Sequence, residues 1–192
     1  MLGYALDDQL LHADLFVRIF GLIPILKNGF LGIFIDSGIN LQCAFAVAGK
    51  GGVGKTTLTG LLIEYLCKKK QGPVLAVDAD ANSNLNEVLG VEVETTLGDI
   101  REEIAQAEIS SSNPIPLGMS KQDYTEMKFS SALVEEDDYD LLVMGHTQGK
   151  GCYCFVNGLL TAQISKYAQN YKYIVVDNEA GMEHISRGIL PK

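Results

Sequence analysis

Four short apolar runs recur along the chain: AFAVA (44–48), VLAVD (74–78), DLLVMG (140–145) and YIVVD (173–177). Each is rich in Ala, Val, Leu or Ile and shows little alternation with polar residues. That is the pattern of strands buried on both faces of a parallel sheet. Between the runs the spacing of apolar residues becomes helical. Thr56 to Lys70 carries Leu58, Leu61, Leu62, Tyr65 and Leu66 at that spacing and ends at Gly72-Pro73, which predicts a helix. Thr96-Leu-Gly-Asp99 is a capping pattern opening a second helix toward Ala107, and Phe155 to Gln169 predicts a third.

The segment SSSNPIPLG (110–118) reads as a loop, and EEDDYD (135–140) as a solvated acidic loop before a strand rather than a metal site. No internal repeat interrupts the order. Strand–helix alternation of this kind predicts a doubly wound α/β domain, a mainly parallel sheet with flanking helices. Its ligands are expected at the carboxyl ends of the strands.

The first 43 residues are apolar but do not read as a membrane span. Asp14, Arg18, Lys27 and Asp36 divide them, and an uncharged run such as Ile19 to Leu26 is far short of the roughly 20 residues a span needs. Asp7 and Asp8 stand where a secretory signal would be basic. The segment is expected to be an N-terminal extension, with the domain proper at 44–192. A net charge of −9 over 192 residues argues against a protein that coats nucleic acid. Four cysteines in a chain of this length do not make a disulfide framework and point to a reducing, cytoplasmic setting.

Chemistry enters directly after the first predicted strand. Gly49-Lys50-Gly51-Gly52-Val53-Gly54-Lys55-Thr56, followed by Thr57, is a P-loop in its required context of strand, loop and helix. Glycines let successive backbone N–H groups curl around phosphate oxygens, and the helix N-terminus adds partial positive charge. Lys55 supplies a point charge for the β- and γ-phosphates, and the Thr56 hydroxyl is a Mg²⁺ ligand. The pattern predicts binding of ATP or GTP. Asp177 ends YIVVD where a carboxylate would hold Mg²⁺ through water. Asp78 and Asp80 end another strand beside the loop, and one of them could instead cap the next helix.

Lys50 gives the loop the form K-G-G-V-G-K-T, which resembles the deviant P-loop of the MinD/ParA-like ATPases. The resemblance implies an ATP-sandwiched homodimer in which Lys50 reaches the partner's phosphates. It also implies that Asp80 orients the attacking water and shares the Mg²⁺ environment with Thr56 and Asp177. The longer stretches AGKGGVGKTT, VDADANSNL, MGHTQGKGCYCFVNGLL and VVDNEAGMEHISR, from about Ala44 onward, resemble more narrowly the CooC-type ATPases. Those are accessory factors that mature nickel-containing carbon monoxide dehydrogenase. In that group further strands and helices follow the position of GILPK, so the resemblance implies a domain incomplete at its C-terminus.

Cys152-Tyr153-Cys154 takes its meaning from that context. A disulfide between such near neighbours is strained. In an extended segment residues i and i+2 point the same way, presenting two thiols on one side. Two thiolates are half of the four ligands a soft divalent ion commonly takes, and a two-fold partner supplies the other half. The resemblance implies that Cys152 and Cys154 of two subunits share one Ni²⁺ or Zn²⁺. Among the other candidates, His146 reads as an ordinary loop histidine near the cysteines, and His184 as a hydrogen-bonding member of the second switch that starts at Asp177. Cys43 and Cys67 read as buried inert thiols.

The expectation is a cytoplasmic, Mg²⁺-dependent ATPase that inserts nickel into carbon monoxide dehydrogenase, with no nucleic-acid or membrane partner. The alternatives are an iron–sulfur ATPase like the nitrogenase iron protein, and a positioning ATPase of the MinD/ParA kind.

Overall fold

The apolar runs assemble side by side. In a computed structural model, which describes residues 31–37, 43–109, 115–146, 162, 165–166 and 169–178, the described strands form one sheet of order β1-β2-β6-β3-β5-β4. They are β1 (Leu31–Ser37), β2 (Cys43–Gly49), β3 (Val74–Ala79), β4 (Leu133–Glu135), β5 (Tyr139–Val143) and β6 (Tyr173–Asn178). The four strands foreseen from the apolar runs are the inner four, and they are mutually parallel. β1 and β4 pair antiparallel at the two edges.

Helices cover both faces: α1 (Lys55–Lys69), α2 (Leu85–Leu89), α3 (Leu97–Ile109) and α4 (Lys121–Ser131). On one face Phe45, Ala76, Val143 and Val175 pack against Leu62, Ile63 and Leu66 of α1 and Leu85 of α2. On the other, Ala46, Val77, Leu142 and Val176 meet Leu97, Ile100 and Ile104 of α3 and Tyr124 and Phe129 of α4. Neighbouring residues of each strand therefore enter different cores. This is why the runs do not alternate, each side chain burying its own share at about 1.5–3 kcal/mol.

The helix ends follow local chemistry. α1 stops at Lys70 in a left-handed conformation, φ 49°, just before Gly72-Pro73. The capping box expected at α3 forms. The Thr96 amide donates to Asp99 Oδ2 at 2.8 Å, and the Asp99 amide donates to Thr96 Oγ1 at 3.2 Å. α4 opens the same way, with the Asp123 amide donating to Ser120 Oγ at 3.1 Å.

Several elements depart from the sequence expectation. The acidic run is exposed at 135–138 and leads into β5 as expected, but the strand before it was not foreseen. Leu133–Glu135 forms β4 and pairs back onto β5, making the run a hairpin turn, with the Glu136 amide donating to Tyr139 O at 3.0 Å. α2 and α4 had no expected counterpart. Leu31–Ser37, inside the segment expected to be an extension, runs alongside β2 over seven register pairs from Leu31↔Gly49 to Ser37↔Cys43. The helix expected at 155–169 lies largely outside the described residues, though Ala162, Ser165 and Lys166 are helical.

Phe129 tests the packing of the unforeseen helix α4, since its side chain is fully buried between helix and sheet. Phe129→Ala is expected to lower unfolding free energy by about 3–5 kcal/mol in urea titration. A loss below about 1 kcal/mol would mean that α4 does not pack there.

Candidate functional site

Parallel pairing places the carboxyl ends of β2, β3 and β6 at one edge of the sheet, and the P-loop, Asp78, Asp80 and Asp177 gather there. From β2 the chain turns through Gly49–Gly54 into α1. Gly52 and Gly54 adopt φ of 76° and 87°, where an L side chain is strained, while the space in front of Gly51, Gly52 and Gly54 is open to 4 Å. Torsion favours glycine at two of these positions, and the loop backbone is left uncovered by side chains there. α1 starts at this loop with no side-chain cap and no acidic residue in its first turn. Its first amides and dipole therefore face the loop uncompensated, which is the chemistry of an anion site.

Lys55 is buried, and its Nζ donates across the loop to the Lys50 carbonyl at 3.4 Å. Lys50 and Thr57 are exposed, and Val53 and Thr56 are half-buried.

Opposite Lys55 stands a carboxylate with little access to water. Asp177 is in register with Val47 on β2 and with Asp78 on β3, so both acids sit in one row across three strands. Burial pushes the Asp177 carboxyl above its usual range, and Asp80's negative charge acts the same way. Hydrogen bonds from Thr56 and Thr59 and the Lys55 charge pull it back. The Thr59 hydroxyl lies 3.2 Å from Asp177 Oδ1 and 2.9 Å from the Lys55 carbonyl, two acceptors for one proton.

Asp78 is buried completely, and burial, with the negative charges of Asp177 and Asp80, pushes it up to about 6 against the backbone bonds that lower it. Its Oδ1 accepts the Asp80 amide and its Oδ2 the Leu85 amide, each at 3.0 Å. Asp78 thus takes the helix-capping role, spanning the loop and holding the start of α2. Asp80 is left half-buried at the loop's front. Its Oδ1 accepts from the Asn82 amide at 2.9 Å and from Asn82 Nδ2 at 3.1 Å.

The structure brings together the loop Gly49–Thr57, Asp78, Asp80 and Asp177. Cys152 and Cys154 lie outside the described residues, as do His12, His184 and the stretch after Asn178. His146 is exposed just past β5. Cys43 is buried and Cys67 half-buried, the latter with its thiol pushed up by burial and donating to the Asp138 carbonyl at 3.4 Å. Among the described residues no group of three or more His, Cys, Asp or Glu could hold a metal ion, and no helix is long and apolar enough to cross a membrane.

Sequence reasoning missed Thr59 and Asn178. Thr59 lies one helical turn beyond Thr56, so a T-x-x-T spacing after the lysine was the available signal. Asn178, also buried, ties β6 to β2 by donating to the Val47 carbonyl at 3.3 Å. A surface groove of about 450 Å³, lined by Leu61, Cys67, Val88, Leu89 and Tyr139 among others, lies on the outer side of α1. It stands apart from Lys55 and the carboxylates, and the chemistry at the strand ends is the better guide to function.

Comparison with known proteins agrees with this geometry. An uncharacterized ATP-binding protein of Methanocaldococcus jannaschii is 54% identical over 142 residues, covering 74% of this chain and 55% of that protein. The carbon monoxide dehydrogenase accessory protein CooC of Rhodospirillum rubrum is 32% identical over 157 residues, covering 76% of this chain and 57% of that one. The chain thus spans little more than half the length of these relatives. The kinase domain of the Escherichia coli tyrosine kinase ETK superposes with a TM-score of 0.51 at 14% identity, covering 94% of this chain and 56% of that one, a likeness of fold alone. The family model described as the CobQ/CobB/MinD/ParA nucleotide binding domain matches residues 44–187. With three quarters of its length matched and a P-loop at the edge of a parallel sheet, the chain belongs to the CobQ/CobB/MinD/ParA family of nucleotide-binding P-loop proteins.

Proposed function

We propose that this chain is the ATP-hydrolysing part of a homodimeric metallochaperone that delivers nickel to carbon monoxide dehydrogenase or a related nickel enzyme. The observation that carries the nucleotide half is the open glycine loop at 51–54 leading into an uncapped helix start, with the buried Lys55 beside it. Lys55 would neutralise the β- and γ-phosphates, and a partner's Lys50 would add charge as the leaving group departs. Oxygen donors at Thr56, Asp80 and Asp177 suit Mg²⁺. At Asp177 in particular, burial disfavours the bare anion, which a hard cation relieves. Bound there, Mg²⁺ would offset charge on the phosphate oxygens.

Asp80, at the front of its loop, would orient the attacking water. The delivery half rests on the Cys152-x-Cys154 pair and on the likeness to the carbon monoxide dehydrogenase accessory protein. Four thiolates from two subunits accept Ni²⁺ or Zn²⁺ as cargo. The family match also favours a second reading, a positioning ATPase of the MinD/ParA kind, which would need no thiolate site.

Three measurements test these assignments. Asp80→Asn is expected to slow ATP hydrolysis about a hundredfold while calorimetric ATP affinity stays within about threefold. Hydrolysis at the wild-type rate would remove Asp80 from the mechanism.

Metal titration of the wild type should give one metal per dimer, tighter with ATP than without. Cys152→Ser/Cys154→Ser should lose the metal and keep ATP. Metal retained by the double variant would sink the shared thiolate site, and a brown preparation with visible absorption would favour an iron–sulfur cluster instead.

Asp78 contributes a distinct step to the pH dependence of the nucleotide-free protein. Its folded value of about 6 exceeds the ordinary 3.8, so between those values the folded chain holds a proton that the unfolded chain has released. That stability is complete below the lower value and is lost as pH rises through the upper one, about 3 kcal/mol in all. The stability of the wild type relative to Asp78→Asn should therefore fall by about 2 kcal/mol of that between pH 4 and 6.5 in denaturant titrations. A difference that stays flat with pH would contradict the burial assigned to this carboxyl.

A further inference from the structure

Ser83 adopts φ of 45°, a left-handed conformation that costs a residue with a Cβ about 1–2 kcal/mol. The strain is offset by three hydrogen bonds at one place. The Ser83 amide donates to the Asp80 carbonyl at 3.1 Å, and the Ser83 hydroxyl donates to the same carbonyl at 3.2 Å. The hydroxyl oxygen in turn accepts the amide of Gly145, 62 positions away in sequence, at 3.1 Å. One hydroxyl therefore joins the peptide of Asp80 to the backbone that leaves β5.

The far end of this link is tightly located. The Met144 amide donates to the Asp78 carbonyl, and the Met144 carbonyl accepts from Gly98 at the start of α3, both at 2.8 Å. Gly145 sits at φ 69°, and a Cβ there would lie 2.2 Å from Thr96 Oγ1. Backbone anchored through both polar groups of Met144 and pressed against Thr96 resists following the Asp80 loop by deforming. It can only keep or break the bond to Ser83.

We infer that Ser83 is a positioning residue that couples the Asp80 loop to the exit of β5, so that nucleotide at the P-loop changes the hydrogen bonding of Gly145. The inference rests on the nucleotide reading of the Asp80 loop. A ligand that draws Asp80 forward moves its carbonyl, and with it the hydroxyl that Gly145 uses. The signal then enters the chain at His146, from which the sequence runs on to Cys152. A single polar contact bridging two rigid backbones has two discrete states, formed and broken, which is what energetic coupling between sites requires.

The test uses the full chain and follows exchange of the Gly145 amide with and without Mg²⁺ and a non-hydrolysable ATP analogue. In the wild type, binding of the analogue should change that exchange rate by about tenfold, the scale of one hydrogen bond. Ser83→Gly suits the left-handed backbone and removes the CH2OH side chain that makes the link, and Ser83→Ala, which keeps the Cβ, serves as the second variant. In either variant Gly145 should exchange about tenfold faster without nucleotide, and the analogue should change its rate less than about twofold. The variant's kcat for ATP, counted per nucleotide-binding site titrated by calorimetry, should drop about tenfold with KM within about threefold. A loss of folded protein would instead lower the number of sites and leave the rate per site unchanged.

Retention of the analogue effect at Gly145 in Ser83→Gly would overturn the inference. A wild type that binds the analogue with no change at Gly145 would overturn it as well, whatever the variant does, and would leave the nucleotide reading standing. A wild type that fails to bind the analogue would remove the nucleotide reading and this inference together.

Discussion

Everything described at the site depends on β6 lying parallel between β2 and β3. That pairing brings Val47, Asp177 and Asp78 into one row and turns three separate loops toward a common edge. The row is costly in electrostatic terms. Two carboxyls are withdrawn from water on adjacent strands, and burial raises both. They are kept in place by directed donors: two amides for Asp78, and the hydroxyls of Thr56 and Thr59 for Asp177.

The three acids divide the work by what lies around them. Asp78 is fully enclosed and its oxygens are used up by backbone, so it fixes the shape of the loop after β3. Asp80 stands two residues on, half-buried, with its carboxylate engaged only by the neighbouring Asn82. Asp177 lies between them in character, enclosed yet facing the lysine and threonines of α1. The same residue type thus serves as a structural brace, a group at the front of a loop and a partner for charge.

Much of this was legible in the sequence. The four apolar runs located the inner strands to within a residue or two, because burial on both faces leaves a pure apolar signal. The P-loop and the Thr96–Asp99 capping pattern were visible because torsion and hydrogen-bond geometry fix residue types at fixed spacing. What escaped had no such local signature. α4, KQDYTEMKFSS, is mostly polar and is held by a few residues such as Tyr124 and Phe129. β4 is three residues long and exists only through its pairing with β5. Asp78 could be seen as a capping candidate, but which of two aspartates caps depends on the path of the chain. Ser83 gave no hint at all, since its partner is 62 positions distant.

Gly145 carries a consequence for how this sequence can drift. A side chain there collides with Thr96, whose Cβ would stand 2.4 Å from the new atom and whose hydroxyl is already committed to Asp99. Shrinking residue 96 to glycine would clear the room, yet φ of 69° would still disfavour any Cβ at 145. The position is closed twice, once by space and once by torsion. Compensating change at its neighbour removes only the first obstacle, and a Cβ at 145 would still carry the torsional cost of about 1–2 kcal/mol that Lys70 and Ser83 bear elsewhere in the chain.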